Sequence, residues 1–186
     1  MSVMLLPGLS EDYAASTLAR LDDRPRDVAE QHLVECLKML VLLSGHPTIA
    51  VAPSPELDSV WRALAAPRAA YAELCSHLPG GRVLEQRDVP RDPCIDESAR
   101  LVSLYVGSFG PFTPRSALLW PAARIVMVTL RVGLSGLNDA AAVTGDERPG
   151  AKMLPVASPW RRLGAVLRIS ELVSSPFGEA AHSGRM

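Results

Sequence analysis

Asp58 and Arg62 stand four positions apart in a stretch with helical hydrophobic spacing, which puts both side chains on one face. An aspartate there can take a proton and an arginine can clamp a carboxylate or enolate. Tyr71, one element further on, can act as the acid. The plainer reading of the same spacing is an intrahelical ion pair worth about 0.2–0.5 kcal/mol. Trp61 and Tyr71 fall on apolar stripes, where such side chains are more often core than ligand platforms. Cys75 shares the inner side of its element with Tyr71 and Leu78, and no histidine or helix N-terminus is spaced to activate its thiol. His77 closes the group near a helix C-terminus, where positive charge is tolerated. The acid–base reading takes Asp58 and Tyr71 as catalytic, with Trp61, Arg62, Cys75 and His77 around a ligand.

A second patch runs from Gly107 to Pro114 and continues to Trp120 and Arg124. Two glycines and two prolines there force a sharp turn beside Phe109 and Phe112. The arrangement reads either as a packed corner between helices or as the mouth of an apolar ligand cavity lined by Phe109, Phe112, Trp120 and Arg124.

Other chemistries lack their residues. His32, His46, His77 and His182 form no HxH, HxxxH or HExxH unit, so no metal is expected. There is no GxGxxG and no GxxxxGK[ST], and Pro79-Gly80-Gly81-Arg82 reads as a helix stop, so no cofactor or nucleotide is expected. No serine sits in a GxSxG elbow.

Composition sets the class. The 186 residues are 48% hydrophobic and 21% charged, with 19 basic against 20 acidic groups, the profile of a globular chain with one core. Of the basic residues only Lys38 and Lys152 are lysines; the arginines are scattered along the chain, a bias that follows GC-rich coding, and make no stripe for nucleic acid. Cys36, Cys75 and Cys94 form neither a paired framework nor a CxxC unit and read as reduced cytosolic thiols. Met1–Leu6 is apolar but lacks a basic flank and meets Pro7 too early for a signal peptide. The longest uncharged run, 39–55, is broken by Gly45 and Pro47 and cannot span a bilayer as one helix.

The elements that must position these residues are helices. Ser10 caps a short one to about Leu21, and Asp27 with Glu30 offers a capping box for the next, whose apolar face is Val28, Leu33, Cys36, Leu37, Leu40 and Leu43. Thr48–Ala52 reads as an extended segment. Ser54-Pro55-Glu56 starts a helix with Leu57, Val60, Trp61 and Leu64 inward; Pro67 starts another with Tyr71, Leu74, Cys75 and Leu78 inward. Gly81–Cys94 is a solvated connection. Asp96 caps a helix with Leu101, Leu104 and Tyr105 buried. Thr113-Pro114 opens one that Trp120-Pro121 must kink or split, with Ile125, Val126, Thr129 and Leu130 continuing its buried face. A short helix from Gly136 to about Val143 and a last one from Ser158-Pro159 complete the set. Residues 175–186 have little to bury and are expected to be a mobile tail.

The stretch Pro55-Glu56-Leu57-Asp58-Ser59-Val60-Trp61, with Tyr71-Ala72-Glu73-Leu74-Cys75 and Gly80 or Gly81 after it, resembles the glycine-rich domain-containing protein-like family. That pattern is a proline, an Asp-x-x-Trp-His, a Tyr-x-x-x-Cys, and a glycine before a histidine-bearing strand; the similarity covers about 30–87. It implies an α-helical module. Arg62 stands where the family has histidine, and Val83-Leu84-Glu85-Gln86 lacks the later histidines, so any imidazole chemistry of the family is missing. Leu104-Tyr105 with Phe109-Gly110-Pro111, and Trp120-Pro121 with Gly133-Leu134-Ser135, are similar to the downstream part of bacterial relatives.

The sequence thus predicts an all-α, single compact domain of about seven helices over 1–174, with irregular Pro/Gly loops. The expected function is a small cytoplasmic protein that binds a partner protein or a small apolar or carboxylate-bearing molecule, with no nucleic acid or membrane and with room for a homo-oligomer. The competing expectation is a cofactor-independent lyase, dehydratase or cyclase of bacterial specialised metabolism, with Asp58 as base, Tyr71 as acid and Arg62 as anion clamp.

Overall fold

The computed structural model describes residues 8–21, 23–49, 51–85 and 94–144. These form eight helices and, among the described residues, no strand: α1 (Glu11–Ala19), α2 (Arg26–Gly45), α3 (Pro55–Ala65), α4 (Arg68–Ser76), α5 (Ile95–Phe109), α6 (Pro114–Leu119), α7 (Pro121–Leu130) and α8 (Leu134–Thr144). The predicted all-α class holds. The helix predicted from Ser158 and the tail over 175–186 lie outside the described residues.

Several starts follow from side-chain caps. Ser10 Oγ accepts from the Tyr13 amide at 3.1 Å and Ser54 Oγ from the Leu57 amide at 3.3 Å, each satisfying a donor that the first helical turn leaves open. Thr113 and Ser116 form a reciprocal capping box ahead of α6. Two other predicted caps are not used. Helix α2 begins at Arg26 behind Pro25 without a side-chain cap, and Glu30 pairs with Arg26 at 2.9 Å instead of reaching back to Asp27. Helix α5 begins at Ile95, one residue before the expected cap Asp96. Thr48, Ile49, Val51 and Ala52 join no strand, because no second extended segment is described for them to pair with.

Helix α2 is the axis of the fold. It is contacted by α1, α3, α5 and α6. Every residue from Glu35 to Leu42 is buried, so the helix has no solvent face over two turns. The sequence predicted a single apolar face; the packing of helices all round it buries the polar positions too. The C-terminus of α2 meets Gly80, whose amide donates to Ser44 Oγ at 2.9 Å. A Cβ at Gly80 would stand 2.7 Å from the Ser44 carbonyl oxygen, so this crossing requires glycine.

The predicted loop from Gly107 is shorter than expected, since α5 continues to Phe109 and ends at Gly110, whose φ of 91° takes the chain into its turn. Trp120-Pro121 does split the helical run into α6 and α7, as proline at the first position of a new helix allows. Helix α7 packs on α5 through Ala122, Ala123 and Val126. Thr129 and Leu130, predicted to be buried, are exposed, because the chain leaves the helix at Arg131 in the left-handed region (φ 52°).

Candidate functional site

The helix pair predicted to carry chemistry is present, but it divides its residues between core and surface. Arg62 Nη2 and Asp58 Oδ2 lie 2.7 Å apart on α3, with side chains 70% and 28% exposed. They line an open cleft of about 440 Å³ together with Arg20, Leu21, Pro55, Ser59 and Ala63. Tyr71 does not line this cleft. It is buried, its hydroxyl accepting from Trp61 Nε1 at 2.7 Å and donating to the Leu84 carbonyl at 2.9 Å. Burial pushes its phenol well above the usual tyrosine range. Asp58 and Tyr71 therefore do not share this cleft.

Trp61, Tyr71 and Cys75 are all core, the plainer of the two readings. Cys36 lies in the same core, where burial first and the charge of Asp58 second push its thiol up. His77 is exposed as the C-cap of α4. All three cysteines are free. Among the described residues no group of three or more His, Cys, Asp or Glu side chains is placed to hold a metal ion.

The aromatic patch is a packed corner. Phe109, Phe112 and Trp120 are 4%, 3% and 1% exposed, while Arg124 points to solvent. At its centre is a constellation that sequence reasoning missed. Glu35 Oε1 accepts from Lys38 Nζ at 2.7 Å, and Oε2 accepts from Trp120 Nε1 at 2.8 Å. The Tyr105 hydroxyl accepts from Lys38 at 3.0 Å and bridges to both carboxylate oxygens at 3.2 and 3.1 Å. Tyr105 stacks on Phe112 with centroids 3.9 Å apart, and Trp120 meets it edge-on. Lys38 Nζ stands 5.3 Å from the Tyr105 centroid and 5.8 Å from that of Phe109, within cation–π range. Glu35 and Lys38 are each 1% exposed. Burial, reinforced by the Glu35 charge, raises the Tyr105 phenol above its ordinary range. Both carboxylate oxygens are engaged within the protein, so the constellation ties α2 to α5 and to the α6–α7 junction. One signal was legible: Lys38, one of two lysines, sits with Glu35 inside the apolar run of α2.

The exposed side chains of α6, α7 and α8 have a different character. Leu118, Val128, Leu130 and Val143 are 70%, 78%, 52% and 62% exposed, on the consecutive helices α6, α7 and α8. From Ser98 to Asn138 the sequence has no acidic residue, yet it carries Arg100, Arg115, Arg124 and Arg131. The last three are exposed, and among the described residues none of them has an ion-pair partner. No single described helix is long and apolar enough to cross a membrane.

No protein-family model, curated protein or solved structure matches the chain.

Proposed function

We propose that this protein is a binding module that holds an acidic amphipathic segment of a partner protein on the surface of α6, α7 and α8. One observation carries the reading: four large aliphatic side chains stand in solvent on α6, α7 and α8, which with the turn after α7 carry three exposed arginines against a single acid among the described residues, Asp139. Aliphatic residues scattered singly need no explanation, but of the five large hydrophobics exposed among the described residues only Val83 lies outside these three consecutive helices. A partner helix with apolar residues on one side and Asp or Glu along its edges matches both features. Every Trp, Tyr and Phe of the described residues is buried, which favours a protein partner over a membrane interface, where aromatic side chains usually anchor. The converging ionisable groups are sealed in the core or separated between core and surface, which supports binding over the lyase or cyclase alternative. The free thiols support a reducing, cytoplasmic setting. Of the residues that carry the glycine-rich family resemblance, Trp61, Tyr71 and Cys75 are core while Pro55, Asp58 and Gly80 are not, and the proposal does not rest on it.

A fluorescein-labelled amphipathic helical peptide rich in Glu and Leu tests this by anisotropy with the full chain. Saturable binding that weakens with salt is expected, and Val128→Asp or Arg124→Glu should reduce affinity about tenfold or more while the circular dichroism is unchanged. Binding to phosphatidylserine vesicles in preference to the peptide, or peptide binding indifferent to both substitutions, overturns the reading.

A further inference from the structure

The open cleft between the end of α1 and the first turns of α3 lies apart from that face, and we propose that it is a site for a small monoanionic carboxylate with an apolar body. Its volume of about 440 Å³ falls within the range of small-molecule sites. Leu21, Pro55 and Ala63 supply apolar wall, and Arg20, Ser59 and Arg62 supply donors; the one carboxylate of the lining, Asp58, is paired with Arg62.

Each donor is held by one bond and has capacity left. Arg62 gives Nη2 to Asp58 and keeps the rest of its fork in an exposed position. Arg20 Nη1 donates to the Ala63 carbonyl at 3.1 Å, which fixes the guanidinium against α3 by one edge. Ser59 Oγ accepts from Arg24 Nη2 at 3.0 Å, so its own O–H remains to be donated. Arg24 is itself pinned, by Asp23 at 3.2 Å and by His32 Nδ1 at 3.1 Å, and its side chain is only 17% exposed. A carboxylate between Arg20 and Arg62 thus meets preset N–H groups and one oriented hydroxyl, the geometry that planar oxyanions take best from arginine.

Charge selects the class. Asp58 already balances Arg62, and among the described residues no carboxylate pairs with Arg20, which leaves one such cation on the lining. One cation suits a single negative charge, and the carboxylate of Asp58 repels a dianion. The apolar wall gives the rest of the ligand somewhere to lie, so an aliphatic or aryl carboxylate is favoured over inorganic phosphate.

The test is an amide NMR titration of the full chain with a set of small aliphatic and aryl carboxylates, their uncharged amides, and inorganic phosphate. The expected result is saturable shift changes at Arg20, Leu21, Ser59, Arg62 and Ala63 with carboxylates and none with the amides. Arg62→Gln and Arg20→Gln should each weaken binding about tenfold, the loss of one charge-assisted contact, with Ser59→Ala smaller. Arg68→Gln, exposed on α4, is the control that leaves affinity unchanged. Equal shifts with the amides, tighter binding of phosphate, or no shift at these amides with any carboxylate at millimolar concentration overturns the site. Arg62→Gln should leave binding of the acidic peptide at α6–α8 untouched, so the two proposals fail separately.

Discussion

Two acid–base pairs one helical turn apart, Glu35 with Lys38 on α2 and Asp58 with Arg62 on α3, show the same N···O distance of 2.7 Å and opposite surroundings. The first is enclosed by Tyr105, Trp120, Phe109 and Phe112, and both oxygens of its carboxylate are engaged. The second stands at the rim of an open cleft with most of Arg62 in water. Neighbours, and not spacing, separate them. From Glu35 to Leu42 helix α2 is buried all round, so its polar residues there find partners inside, whereas α3 keeps one flank free. The buried pair is expensive to desolvate and expensive to break; the exposed pair is neither, and so can exchange partners with a ligand.

Lys38→Met breaks that comparison most sharply. It leaves the Glu35 carboxylate with Tyr105 and Trp120 but no cation, and removal of one member of a buried pair costs about 3–5 kcal/mol. Chemical denaturation of the full chain measures this. The double variant Glu35→Gln/Lys38→Met, which also removes the stranded charge, should be more stable than Lys38→Met alone. A single-variant loss below about 1 kcal/mol would show that water reaches the carboxylate and that the corner is not sealed.

Tyr71→Phe applies the same test to a sealed network without charge. It strips the Trp61 indole N–H and the Leu84 carbonyl of their shared partner while keeping the ring in place. Two neutral groups left unpaired predict a loss of about 1–3 kcal/mol, smaller than for Lys38→Met. If Tyr71→Phe costs more than Lys38→Met, the charge of the α2 pair is not what sets its value.

Most of the helical frame was legible in the sequence, for reasons tied to particular residues. Ser10, Ser54 and Thr113 announce their helices because a side-chain oxygen before an apolar repeat has a local job, and Pro121 divides α6 from α7 by its ring alone. The buried Glu35–Lys38 pair was not legible, because the partners that decide it, Tyr105 and Trp120, are 70 and 85 positions away from Glu35. The same limit hid the exposure of Thr129 and Leu130: periodicity gives a helix one apolar side, but only the position of α5 tells which side is used. At the candidate site, the pairing of Asp58 with Arg62 follows from spacing within one helix, while Arg20 and Leu21 reach the cleft from α1 and carry no sequence signal toward it.

His32 extends the comparison to pH, since it contacts Arg24 behind the open cleft. Burial first and Arg24 second hold its imidazole below the ordinary value of 6.5. The same direction holds for His46, through burial and then Arg100. The unfolded chain therefore binds protons that the folded chain refuses, and stability rises with pH through this range. The contribution is complete above 6.5 and is lost as pH falls from there through the lowered folded values. A melting-temperature profile should decline over that window, and His32→Gln should flatten part of the decline. An unchanged slope in His32→Gln would place the pH response elsewhere in the fold.

The smallest expected effect falls on the exposed pair of α3. Asp58 and Arg62 are an exposed i,i+4 pair, and a double-mutant cycle with Asp58→Asn and Arg62→Gln should return a coupling of about 0.2–0.5 kcal/mol, shrinking as salt is raised. Against the several kcal/mol expected at Lys38, that value would show that one distance on two helices has two energetic meanings. A coupling above about 1 kcal/mol that persists in high salt would mean that the cleft is shielded and that Arg62 is committed to Asp58. The carboxylate site proposed between Arg20 and Arg62 would then have to compete with its own wall, so the cycle sharpens that proposal as well as the comparison.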